Sequence, residues 1–248
     1  MTDFRLPFRM INAALFAAVP FAVTAGTFTP PKGCTAYLTV QMSSCKVEQH
    51  WTCAGEPDGD HWALTIDADG PSYLQHLDRE FRWLENYPLP GQFKRTLRQP
   101  EADPNSLTGL LETGRDDFDF EQIVLREGKP YTTEHVTGFD KLTGTKVRID
   151  GEDLLVTEFQ FQVESSLDGQ VSRTYGNQYV SPKFRLFFQG RETEEAGGET
   201  YHYDEKPLLF SEPGEAGFLA DKPEFGCDEM MSGLQMPLAT EKERRDEL

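Results

Sequence analysis

The chain has 248 residues, with 42 Asp and Glu against 24 Lys and Arg, for a formal net charge of −18. That balance excludes a nucleic-acid protein, whose phosphate ligands want a basic field, and docking on an anionic membrane surface. The 38% hydrophobic share, with 18 Phe, 8 Tyr and 3 Trp, is too rich for a wholly disordered polymer.

Residues 1–25 read as a cleaved signal peptide. Arg5 and Arg9 supply the positive start, Ile11 to Val23 the apolar stretch, and Val23-Thr24-Ala25 the small residues before a cut at Gly26. The apolar stretch is shorter than the ~20 residues a membrane span needs. Removal would leave 223 residues carrying 22 basic and 41 acidic side chains, net −19, with no span remaining. Residues 26–248 are then expected to form a single disulfide-linked β-rich domain with a flexible acidic C-terminal tail. The final Arg245-Asp246-Glu247-Leu248 resembles an ER-retrieval tetrapeptide. The chain has no Asn-x-Ser/Thr sequon, which favours a bacterial periplasm over an ER lumen.

Four cysteines, Cys34, Cys45, Cys53 and Cys227, are an even set for an oxidising compartment. They allow three pairings, and every complete pairing ties one of the first three to Cys227. A zinc site is disfavoured, because the cysteines lack C-x-x-C spacing.

Along the chain, alternation dominates. His61 to Asp67 sets Trp62, Leu64 and Ile66 on one face and ends at the Asp69-Gly70 turn. Tyr73, Leu74, Leu77, Phe81 and Leu84 recur at helical spacing and predict a short helix over 73–85, with Ser72 as its cap. A second short helix is predicted over 104–113, capped by Asp103, with Pro104 in its first turn and Gly114 as its stop. Strands follow at Asp117 to Leu125, Tyr131 to Phe139, Leu154 to Val163, Val171 to Tyr175, Tyr179 to Gln189 and Tyr201 to Phe210. Turns are expected at Gly128-Lys129-Pro130, Asp140 to Gly144, Asp150-Gly151 and Asp168-Gly169, and a mobile loop at Arg191 to Thr200. Ser211 to Cys227 reads as coil, and residues 239–248 as a frayed end. The expectation is a mainly β fold: an antiparallel meander of roughly eight strands forming a curved sheet, barrel or sandwich, with the two short helices on one side or end.

Catalytic motifs are absent. There is no G-x-S-x-G, no phosphate-binding loop and no dinucleotide fingerprint. His50, His61, His76, His135 and His202 stand apart and read as solvated surface residues; no metal site is assigned. Asp67-Ala68-Asp69-Gly70 lacks the acids a calcium loop needs and reads as a turn. The remaining clue is aromatic. Trp51, Trp62, Trp83, Phe159, Phe161, Phe184, Phe187 and Phe188 could all be core, or could line an apolar pocket inside a curved sheet. Phe187 alternates against Phe184, Leu186 and Phe188, so its strand is expected to be covered on both sides, as by a helix. The leading expectation is a secreted, periplasmic, non-enzymatic binding or carrier protein for a small apolar or amphipathic ligand. Two alternatives stay open: an envelope structural or interaction protein whose acidic surface meets a basic partner, and a hydrolase with a dispersed active site.

Overall fold

The structure is a computed structural model that describes residues 27–227; the expected leader at 1–25 and the tail at 239–248 lie outside the described residues. One antiparallel sheet of thirteen strands contains β1 (Cys34–Met42), β2 (Lys46–Cys53), β3 (His61–Asp67), β4 (Gly70–Leu77), β5 (Trp83–Pro88), β6 (Phe93–Asp103), β7 (Arg115–Arg126), β8 (Lys129–Ile149), β9 (Glu152–Ser165), β10 (Val171–Ser181), β11 (Leu186–Ala196), β12 (Glu199–Asp204) and β13 (Pro207–Ser211). Each strand from β1 to β11 pairs with the next, and β13 returns to pair with β1, leaving β12 and β13 at the two edges of an open sheet. The single helix among the described residues, α1 (Leu107–Thr113), sits between β6 and β7.

The mainly β meander is as expected, but the described residues form thirteen strands rather than eight, and one helix rather than two. The predicted helix over 73–85 is replaced by β4, a turn and β5. The Asp78 carboxylate ends β4 by accepting from the Glu80 and Arg82 backbone N–H groups, each at 2.9 Å. Ser72, expected as a cap, instead donates its hydroxyl to the Thr65 carbonyl on β3. The three- and four-residue spacing arose because both faces of β4 are partly covered and Phe81 belongs to the turn that follows. The second helix starts later than expected. Ser106, not Asp103, is its cap, accepting from Gly109 N–H, and Gly114 (φ 85°) stops it as predicted.

Two expected breaks are strand. β8 runs through Asp140 to Gly144 with only a register shift there. The expected loop at Arg191 to Thr200 is the β11–β12 hairpin, turned at Gly197-Gly198 (φ 60° and 86°). Conversely, Tyr179 to Gln189 and Tyr201 to Phe210 are each two strands. The Asp150-Gly151 turn stands as read, both residues having positive φ (47° and 84°) as this tight hairpin demands.

The sheet curls on itself. Leu38, Val40 and Met42 of β1 pack against Leu154 of β9, Leu186 and Phe188 of β11 and Phe210 of β13. A second cluster joins Leu97, Phe118, Phe120 and Val136, with Trp83 and Phe161 beside it. On the opposite side of β11, Phe187 packs with Leu107 and Leu110 of α1 and Val180 of β10, which is the expected helical cover.

The cysteines pair as Cys34–Cys53 and Cys45–Cys227. The second bridge closes 182 residues and pins the coil after β13 across the far face of β1 and β2. There Gln41 and Gln49 donate to the Lys222 and Ala220 carbonyls, and the Leu219 N–H donates to the Thr39 hydroxyl. This strap explains how Thr39, Gln41 and Gln49 can be buried on a strand face. Replacing Cys45 and Cys227 together by serine is expected to cost about 5 kcal/mol in the loop-entropy relation, against about 3 kcal/mol for Cys34 with Cys53. Urea denaturation of the two double variants measures the difference.

Candidate functional site

Two depressions adjoin at one end of the curled sheet. The larger is a cleft of about 270 Å³ lined by Tyr37, Thr52, Gly59, His61, Arg79, Lys183, Phe184 and Arg185. Its walls are the β1–β2 pair, the turn before β3, the turn between β4 and β5, and the turn between β10 and β11. Arg185 ties the last two walls together. Its Nε and Nη2 each donate to the Arg79 carbonyl at 3.2 Å, and Nη2 also reaches Glu80 Oε1 at 3.2 Å and Thr108 Oγ1 at 2.9 Å. Both turns hold a non-glycine residue in the left-handed region, Phe81 (φ 66°) and Arg185 (φ 55°). Such residues persist only where their surroundings over-determine them. Here the Phe81 ring is wedged 4.7 Å from Phe187 and 6.1 Å from His61.

The smaller depression is a crevice with about 30 Å³ of open space, beneath α1 and behind Phe81. Trp83, Phe118, Phe159, Phe161 and Phe187 line it, together with Glu80, Asp116 and Asp140. Asp116 and Asp140 are direct register partners on β7 and β8. Burial, with a smaller contribution from the neighbouring Asp116, pushes the Asp140 carboxyl up to about 7. Asp116 is pushed up to about 6, again mainly by burial, although the Ser106 N–H it accepts at 2.9 Å works the other way. The two act as one coupled pair that holds a proton near neutrality. Glu80 differs: burial alone would raise it, but the Thr108 N–H and hydroxyl and Arg185 hold it below the usual carboxylate range. The open space fits one or two waters and has no room for a sugar ring.

The histidines correct the surface reading. His50 and His61 are buried on the inner face, 2% and 5% exposed, because the sheet curls over them. Burial lowers the His61 imidazole to about 4, with His50 nearby adding to the effect, so His61 is neutral at pH 7. Its Nδ1 lies 3.3 Å from the Gly59 carbonyl and its Nε2 has no hydrogen-bond partner. His135 and His202 are exposed, as expected. His76 stacks on Trp62 at 4.3 Å, within a ladder that continues to Trp51 on the sheet's other face.

The eight singled-out aromatics therefore divide. Trp83, Phe159, Phe161 and Phe187 converge on the crevice, Phe184 lines the cleft, Phe188 is core, and Trp51 and Trp62 form the outer ladder. Tyr37, Arg79, Lys183, Arg185 and the Asp116–Asp140 pair escaped sequence reasoning. A signal for the pair existed: counting outward from the Glu127-Gly128 hairpin, with one register shift, sets Asp116 against Asp140. The cleft cations had no such signal, because they come from unrelated turns. Among the described residues, no group of three or more His, Cys, Asp or Glu is placed to hold a metal ion, and no helix is long and apolar enough to cross a membrane. No protein-family model matches the chain, no curated protein matches it, and no solved structure matches it.

A carboxyl whose folded pKa is raised stabilises the fold below its unfolded value near 4 and loses that contribution as pH rises through the folded value. His61, lowered on folding, does the reverse: its contribution is present above about 6.5 and is lost as pH falls toward about 4. Asp140→Asn is therefore expected to raise stability at pH 8 by about 2 kcal/mol and to give little gain at pH 4. Denaturant melts of the variant and the parent at the two pH values check this.

Proposed function

We propose that this is an exported, periplasmic, non-enzymatic binding or carrier protein, and that a small amphipathic ligand sits in the cleft between Tyr37 and Phe184. The observation that carries the reading is the make-up of that cleft. It has nearly the volume of a small-molecule site, and it pairs two aromatic rings with polar groups that the protein itself leaves uncommitted. Neither the Tyr37 hydroxyl, the Thr52 hydroxyl nor the Arg79 guanidinium has a side-chain or backbone partner among the described residues. Binding rather than proton transfer is supported by the tuning of the same groups. Burial raises the Tyr37 hydroxyl above its ordinary value and lowers His61, so neither is poised near neutral pH as a general base would be. Export is supported by the leader-like start of the sequence and by the two disulfides, which suit an oxidising compartment.

Native mass spectrometry of the gently purified protein should show a co-purifying small molecule, and Phe184→Ala should lose it. A bare chain from its own host compartment, whose melting temperature no small molecule raises, would overturn the reading.

A second reading, as an interaction protein, is favoured by the β11–β12 hairpin. It gathers Glu194, Glu195, Glu199 and Asp204 around the exposed Tyr201 and Tyr203 on an edge strand. An acidic edge of this kind suits a basic partner. A partner captured by the protein at low salt and released at high salt, and not captured by Glu194→Lys with Glu199→Lys, is the expected result of that reading.

A further inference from the structure

We infer that the ligand of the cleft is an organic anion with a single-ring apolar body, its acid group held by Arg79. This rests on the reading of the cleft as a ligand site and adds the chemical class.

In a chain of net charge −18, the charged side chains that line this cleft are all cations: Arg79, Lys183 and Arg185. Two of them are already answered by carboxylates. Lys183 Nζ lies 2.8 Å from Glu152 and 2.5 Å from Glu212, and Arg185 meets Glu80. Arg79 is different. No carboxylate among the described residues lies within ion-pair distance of its guanidinium, although acids outnumber bases across the chain. Its backbone is nevertheless anchored, because Arg185 Nε and Nη2 both donate to its carbonyl oxygen.

The stem of Arg79 is held as closely as its carbonyl. Gly59 (φ 93°) brings the turn before β3 against it, so near that a Cβ at position 59 would lie 2.6 Å from Arg79 Cβ. The molecule thus fixes the base of this side chain and leaves its fork without a partner. A guanidinium fork is matched to a carboxylate, which it binds through two parallel hydrogen bonds. The apolar body would lie on Tyr37 and Phe184, whose ring carries Lys183 Nζ at 4.4 Å from its centre. A cleft of about 270 Å³ lies at the lower end of ligand sites, the size of a one-ring molecule.

The test is calorimetric titration of the full protein with benzoate, with its neutral isostere benzamide and with benzylammonium, read in parallel by NMR at Tyr37, Thr52 and Phe184. Benzoate is expected to bind saturably, benzamide at least about ten-fold more weakly, and benzylammonium not at all. Arg79→Gln, a change at an exposed side chain, should bring benzoate down to the benzamide level and leave benzamide unchanged. Equal or tighter binding of benzamide or benzylammonium overturns the anion assignment and leaves the cleft as a ligand site. Benzoate binding indifferent to Arg79→Gln overturns the role of Arg79. If none of the three moves the cleft resonances at millimolar concentration, the anion assignment and the cleft reading fall together.

Discussion

Everything functional in this molecule depends on β1 packing against strands from the far end of the sheet. A meander by itself puts each strand only beside its chain neighbours, and a flat ribbon of thirteen such strands would enclose nothing. Leu38, Val40 and Met42 meeting Leu154, Leu186 and Phe188 turn the ribbon into a curled wall. The pairing of β13 with β1 and the bridge from Cys45 to Cys227 reinforce the same seam from the other side. The driving term is burial of apolar side chains; the hydrogen bonds and the disulfide add register.

The cleft is a by-product of that curl. Curling of the open sheet carries the turns at 57–60, 78–82 and 182–185 to one end, where Arg185 staples two of them together. The staple uses a side chain whose own backbone is left-handed, and the turn it holds contains a second left-handed residue, Phe81. Two unfavourable conformations in facing turns are sustained by aromatic packing against Phe187 and by the Arg185 bonds. The Phe81 ring lines the acidic crevice and lies 6.1 Å from His61 of the cationic cleft, so two electrostatically opposite environments lie close together.

That juxtaposition refines what the acidity means. Many of the carboxylates among the described residues lie in turns and on exposed strand faces, where water solvates them. A few are placed at a cost. Asp116 and Asp140 face one another across a strand pair, and burial together with the nearby Glu205 pushes Glu192 up to about 7. Burial thus disfavours the ionised form of these acids.

The sequence by itself determined the fold class, because strand alternation and Asp-Gly turns are local signals that each segment carries whole. The Asp150-Gly151 hairpin and the Gly114 stop could be read from two or three residues. The sequence also announced the aromatic surplus, though not which rings would meet. Where local pattern and tertiary cover disagreed, tertiary cover won. Residues 73–85 look helical only because both faces of β4 are partly buried, and Thr39, Gln41 and Gln49 look surface-facing only because the strap is invisible in the chain. His50 and His61 alternate like solvated residues yet lie inside, since inside and outside are assigned by the curl. The cleft could not be read at all. Tyr37, Arg79 and Arg185 come from three distant segments, and only the curl of the sheet sets them side by side, because hydrophobic burial acts on the whole surface and has no fixed sequence separation.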